Sequence, residues 1–355
     1  MVRLVLKISE IWRNFIIECV LPEIGAFFVE KYIVDKLTRF FAICSLKAKV
    51  GNLMKKVIVC ALFIAATVSF AGAKTINPVE PETQSDCFSA FDEVANKYVS
   101  KPCYLITNAE ELYGFAAIVN GTGDFEKDST AGAQIVKDIV VNEKVLNEDG
   151  SLIENSEDLI PWVPLKDFAG QIFADSYECG DDEMCSISGL YFKDPNADNV
   201  GIVANVVGEN VVGDKSITPR NIGSHIRIVD SYFEGRSNVG ALVGYSEVRL
   251  QTYGTVSQAT VKGERKIGGF YGYMEESAGV TNSDFLGKVL CAQDSCGGFV
   301  GAAKAVGIQN SKNASNISCP EGACGGLVGA TSAASIWISQ NTGNIECASG
   351  ACGGL

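Results

Sequence analysis

Histidine is nearly missing from this 355-residue chain, which has only His225. A single imidazole argues against histidine-relayed catalysis and against histidine-ligated zinc. There is no Gly-x-Ser-x-Gly elbow, Walker phosphate loop or His-Glu-x-x-His run, so the sequence nominates no catalytic residue. No cofactor and no resident metal are expected. Eighteen consecutive apolar residues occur nowhere, so no integral membrane segment is expected once a leader has been removed. Basic residues are scarce beyond residue 73: residues 1–73 hold 10 Lys/Arg and 5 Asp/Glu, leaving 19 and 37 in 74–355, a net charge of −18. Such a surface repels phosphate backbones and anionic lipid, which excludes nucleic acid as a partner.

Apolar residues are plentiful, at 47% with a mean hydropathy of +0.16, enough for a sizeable core. The basic N-terminal region carries an export signature. Met54-Lys55-Lys56 is a short positive segment, Val57 to Phe70 is apolar, and Ala71-Gly72-Ala73 is a small-residue cleavage site. The expectation is a signal peptide over 54–73, with 1–53 a mis-assigned upstream extension. Cleavage removes Cys19, Cys44 and Cys60 of the 13 cysteines and leaves an even ten, as suits a disulfide-permissive, extracytoplasmic compartment.

Residues 74–86, polar with Pro78 and Pro81, read as a linker. An α+β leading domain is expected over 87–188. Cys87 and Cys103 bracket Phe88, Phe91, Val94 and Tyr98, a helical spacing. Thr107 with Glu110 has the capping-box spacing for a second helix, which Asn120-Gly121 would end. Strands are expected at Ile135–Leu146, after Ile160–Pro164, and at Ile187–Phe192. A second cysteine pair, Cys179 and Cys185, lies here.

From about residue 199 the chain repeats itself. Gly-[Gly/Ala]-[Leu/Phe]-[Val/Tyr]-Gly begins at Gly240, Gly268, Gly297 and Gly325, and starts again at Gly353, with spacings of 28, 29, 28 and 28. Internal alignment gives columns: Val280/Ile308/Ile336, Ser283/Ser311/Ser339, Cys291/Cys319/Cys347 and Cys296/Cys324/Cys352. A fixed period with no room for helical runs between the glycines implies stacked β-turns. The expected fold is therefore a β-solenoid, a parallel β-helix of ~28-residue turns, over 189–355 and cut off at its C-terminus. Gly201 could open an earlier turn, provided an insertion separates it from Gly240. The motif GGLVG at this spacing resembles the GLUG (Gly-Leu-any-Gly) repeat of bacterial secreted and surface proteins. That resemblance implies a bacterial, extracellular or cell-surface, adhesin-like scaffold and brings no catalytic residue with it.

Within the repeats, Cys291/Cys296, Cys319/Cys324 and Cys347/Cys352 form three Cys-x4-Cys pairs. A metal array is the rival reading, but in an exported chain in-turn disulfides are expected. The two turns that lack cysteine at one of these positions lack both, as partners should. Asp181-Asp182-Glu183 with Asp175 and Glu178, and Asp124/Glu126/Asp128, raise calcium binding against a solvated acidic loop. Asn282/Asn310 and Asn313/Asn341 share columns, fitting amide ladders or carbohydrate contact. Asn120, Asn313 and Asn316 begin sequons. Trp162, Trp337, Tyr271 and Tyr273 could form a sugar platform or pack in the core. The partner is expected to be a protein or polysaccharide surface. The alternative is a carbohydrate-active or carbohydrate-binding β-helix, for which the sequence offers no carboxylate pair at the required ~5–9.5 Å.

Overall fold

Alternating apolar and polar residues between glycine-marked corners can bury a stripe only if each turn stacks on the next. The computed structural model has that arrangement; it describes residues 74–92, 97–174, 179, 184–208 and 219–354. The signal peptide expected at 54–73, the upstream stretch 1–53, and Asp175, Glu178, Asp181, Asp182 and Glu183 lie outside the described residues.

The chain forms a parallel β-solenoid of about eight turns at the 28-residue spacing read from the glycines. One turn illustrates the path. Asp284–Phe285 lies on one face, Lys288–Cys291 on the next, Cys296–Gly297 on a third, and Val300–Gln309 on the long fourth face. Each strand pairs in parallel with its counterpart one turn away: Val289 with Val261 and Ile317, Ile267 with Cys296, Ile308 with Val280 and Ile336. The third residue of each glycine motif points into the core. Leu242, Phe270, Phe299 and Leu327 are all buried there, and the rings of Phe270 and Phe299 lie 5.2 Å apart.

The corners explain the residue types in the columns. His225, Gly254, Asn282, Asn310 and Ile338 occupy one corner, all at φ between 47° and 61°. Asparagine and glycine tolerate that left-handed geometry best. The amide of Asn310 donates to Oδ1 of Asn282 at 2.8 Å. Beside it runs a serine ladder: Ser283 Oγ accepts from the Thr255 amide, Ser311 Oγ from that of Ser283, and Ser339 Oγ from that of Ser311, at 3.0–3.1 Å. The motif glycine Gly297 serves close approach, since a Cβ there would overlap the backbone of Val300 and Val328–Gly329.

The start of the solenoid differs from the sequence reading. Residues 82–92 and 97–106 are not helical: strand β1 (Glu82–Asp92) pairs antiparallel with strand β2 (Lys97–Ile106), and a disulfide joins Cys87 to Cys103. Because β1 begins at Glu82 and the Val79 amide bonds to the Glu110 carbonyl, the stretch 74–86 is part of the fold, not a free linker. The β2 strand lies parallel to Gly132–Ile135 and so joins the long face. Helix α1 (Ala109–Asn120) follows and buries Leu112, Phe115, Ala116 and Val119. Its N-cap is Asn108 rather than Thr107: Asn108 Oδ1 accepts from the Glu111 amide, and Thr107 donates through N and Oγ1 to Glu111 Oε2. Gly121, at φ 65°, closes the C-terminus.

The three strands expected in the leading segment are shorter than predicted. Gly132–Ile135, Ile139–Val140, Cys185–Ser188 and Tyr191–Lys193 form, while 141–146 is irregular apart from a single bridge from Leu146 to Leu152; the strand expected after Pro164 is Ile172–Ala174, preceded by single bridges at Leu165 and Phe168. Several of these strands already belong to the solenoid: Ile187 pairs with both Ile139 and Ile228. Residues 72–355 make one compact unit with no boundary at 188/189. Gly201 does open an earlier turn, because Val200 pairs with Val239 and Val203 with Val243. The insertion falls between Val206 and Arg220, whose neighbours on the next turn are Ser246 and Leu250.

Candidate functional site

All ten expected cysteines are paired as read: Cys87–Cys103, Cys179–Cys185, Cys291–Cys296, Cys319–Cys324 and Cys347–Cys352. The last three staple one corner on successive turns, with Cα separations of 6.3, 6.5 and 6.5 Å. On the cysteine-free turn before them, Gly263 occupies the position of Cys291 and Ile267 that of Cys296. Ile267 is fully buried, and Cys296 and Cys324 are buried in the same column, so in those two pairs the second cysteine replaces a core side chain.

The remaining candidates separate into structural and exposed groups. Asn313 is buried and donates to the Gly326 carbonyl at 2.7 Å and to Asn341 Oδ1 at 2.8 Å. Both asparagine columns are therefore amide ladders. Asn120 is held by the Pro164 carbonyl and the Lys166 amide, which leaves Asn316 as the exposed sequon asparagine. The aromatics do not assemble into a platform. Trp162 and Tyr271 are buried and Trp337 is exposed, while the Lys266 ammonium covers the Tyr273 ring at 3.7 Å. His225 packs edge-on against Tyr253. Asp128 turns inward on its own loop, accepting from Thr130 N and Oγ1. Among the described residues no group of carboxylates converges as cation ligands would.

One concavity gathers polar groups from distant parts of the sequence. Residues 143–159 fold as a flap over the outer face of the strands Tyr191–Lys193, Tyr232–Glu234 and Thr260–Gly263. A small core of Val145, Leu146, Leu159 and Tyr232, with Leu152, Ile153 and Tyr191 against it, holds the flap down. The Asp230 carboxylate accepts from the amides of Val145 and Leu146 at 2.8 and 2.7 Å, and the Thr260 hydroxyl donates to the Gly150 carbonyl at 2.7 Å. Between flap and sheet lies a groove of about 370 Å³. Its floor is a register column, Lys193–Glu234–Lys262–Leu290, and its wall includes Ser151, Glu154 and Ser156.

Glu234 is the shielded charge of this groove. It is buried, yet Lys262 Nζ lies 2.9 Å from it and the Tyr232 hydroxyl donates to it at 2.8 Å. Burial, and then the bond to Glu234, push the Tyr232 phenol far up, so the hydroxyl keeps its proton and acts as a donor. A second cross-turn pair sits at the neighbouring corner, where Arg236 and Ser237 both bond to Asp198 and hold its carboxyl below the usual range.

Sequence reasoning missed the groove because its residues are scattered from 150 to 290 and none belongs to the glycine or cysteine columns. The available signal was the column itself: counting back 28 residues from Leu290 lands on Lys262, and counting back again lands on Glu234. Among the described residues no helix is long and apolar enough to cross a membrane. Comparison with known protein families, curated proteins and solved structures finds no match for this chain.

Proposed function

We propose that this chain is an exported, non-catalytic scaffold of the GLUG-repeat type, adhesive or interacting, which uses the flap groove to hold its partner. The 28-residue glycine motif and the five disulfides support the repeat and the oxidising compartment. The observation that carries the binding role is Glu234, the one buried carboxylate of the groove, already engaged by Lys262 and Tyr232. A carboxylate held by two donors suits a fixed acceptor better than a group that must exchange protons during turnover. Charges of both signs with serine and threonine hydroxyls beside the Leu290 side chain suit a hydroxylated, largely uncharged surface such as a polysaccharide.

A second reading keeps its foothold in the same place. Glu154 and Glu234 face one groove from opposite sides, and a carbohydrate-active enzyme needs two carboxylates there. The two readings separate in one experiment, in which the full chain is assayed against bacterial and plant polysaccharides for retention and for product. The scaffold reading expects retention without product, weakened roughly tenfold by Lys193→Ala or Ser156→Trp, equivalent to losing about 1.4 kcal/mol of contact. Product formation abolished by Glu234→Gln would establish the enzyme instead. Retention indifferent to every groove substitution would remove the groove from the binding role.

A further inference from the structure

The long face ends in a row of uncharged side chains beside the asparagine corner. Tyr253 pairs with Thr281, Thr281 with Gln309 and Gln309 with Trp337 on successive turns. The residues just before them, Thr252, Val280 and Ile308, are buried, so by strand alternation the row points outward. The rings at its two ends, Tyr253 and Trp337, are 47% and 67% exposed. Between them, the Thr281 hydroxyl and the exposed Gln309 carboxamide make no hydrogen bond among the described residues.

The columns on either side keep this row open and neutral. Towards the middle of the face runs Gln251–Gly279–Gly307–Ser335. Gly307 is exposed, is not in the left-handed region, and would meet nothing within 4 Å if it carried a Cβ. Neither conformation nor crowding dictates that glycine; its effect is a low floor beside the row. On the corner side stand Asn282 and Asn310. None of these residues is charged, in a chain with a net charge of −18 beyond residue 73. Farther along the same strands, Lys304 and Glu276 neutralise each other at 3.2 Å.

Such a row offers nothing to an ion. It suits a ligand with apolar C–H faces and hydroxyl edges, because the faces stack on aromatic rings and the edges bond to amides and hydroxyls. A pyranose ring has both. The rung spacing of about 4.8 Å is close to the length of one ring in a straight β-1,4-linked chain. The two aromatics, three rungs or about 14 Å apart, therefore underlie the end rings of a tetrasaccharide.

We propose that this row is a second binding surface, which takes a straight, neutral, β-1,4-linked glycan lying along the solenoid axis. Tyr253 and Trp337 stack on ring faces, Thr281 and Gln309 bind the hydroxyls between, and Gly307 leaves room for the chain. The surface does not depend on the flap groove, whose floor belongs to a different sheet. A coiled α-linked glucan of the same rings meets one aromatic but not both.

Tryptophan emission is the local probe, since Trp337 is exposed and Trp162 is buried. The full chain is titrated with cellohexaose, with maltohexaose and with hexagalacturonate. Cellohexaose should shift the emission to the blue and the other two should not, and Trp337→Ala should abolish the shift. Tyr253→Ala and Gly307→Leu, both at outward positions, should each weaken cellohexaose binding roughly tenfold or more with the far-ultraviolet β spectrum unchanged. Lys193→Ala, in the groove, should leave the titration as it was, so the row and the groove stand or fall separately. No shift with cellohexaose, an equal shift with maltohexaose, or a titration that Tyr253→Ala and Gly307→Leu leave unchanged would overturn the proposal. So would a blue shift that grows with protein concentration in the absence of sugar, the mark of two copies meeting through Trp337.

Discussion

Ile338 has the least suitable side chain for its backbone of any residue in its column. At φ 49° it sits in the left-handed corner that Asn282 and Asn310 occupy on the two preceding turns, and a β-branched side chain is strained there. Its side chain is 81% exposed, so little packing would be lost on replacement. Ile338→Asn relieves the strain and places an amide one turn from Asn310, whose own amide already bonds to Asn282. The substitution should raise unfolding free energy by about 1 kcal/mol, the left-handed penalty of an ordinary L-residue, measured by denaturant titration. An unchanged or lower midpoint would mean that the corner relaxes around isoleucine at no cost. Ile338→Gly separates the two contributions, since glycine relieves the backbone but adds no amide.

Among the elements, the flap is the part of the groove that can be released without touching the stack. Its hold on the sheet converges on Asp230, whose two carboxylate oxygens take the amides of Val145 and Leu146. Asp230 itself has φ 45°, so asparagine is the substitution that keeps the corner geometry. Asp230→Asn leaves one acceptor for two amides and removes the charge; hydrogen bonds to charged groups are worth about 1.5–3 kcal/mol each. Limited proteolysis should then cut within 145–153 several-fold faster while the repeats stay intact. Equal cleavage rates would show that the small core of Leu146, Leu159 and Tyr232 holds the flap unaided. The same contrast explains what the sequence revealed. The staples and asparagine ladders were legible because each column repeats one residue type every turn. The flap and groove were not, since Lys193, Glu234 and Lys262 share a column without sharing a chemistry. The β1–β2 hairpin was misread as a helix because Phe88, Phe91, Val94 and Tyr98 fit a helical period; the antiparallel pairing that decides the matter spans Glu82 to Leu105 and leaves no local mark.

At the scale of the whole molecule, a solenoid is a row of turns in which each touches only its neighbours. Its stability is then close to a sum of turn and interface contributions, and it need not open all at once. Burial along this row is uneven. In the strand Tyr271–Thr281 the inward residues Tyr271, Met274, Ala278 and Val280 are fully or almost fully buried, as are Val306 and Ile308 one turn later. In Val328–Trp337 the matching Ala334 is exposed and Ile336 half-buried, and Ile345 and Cys347 on the next face are half-buried too. The staple Cys347–Cys352 holds its own corner, but closing so short a loop constrains the unfolded chain by only about 2 kcal/mol and adds nothing to the long face. Amide hydrogen exchange should therefore be graded: slowest for 243–246, 271–281 and 300–309, faster through 328–337 and faster again at 345–353. Reducing the disulfides should steepen the gradient at 316–325, where a staple between two buried cysteines is lost, more than at 271–281, where there is none. Uniform protection from 243 to 353 would mean that the turns unfold as a single unit and that the nearest-neighbour account of this stack is wrong.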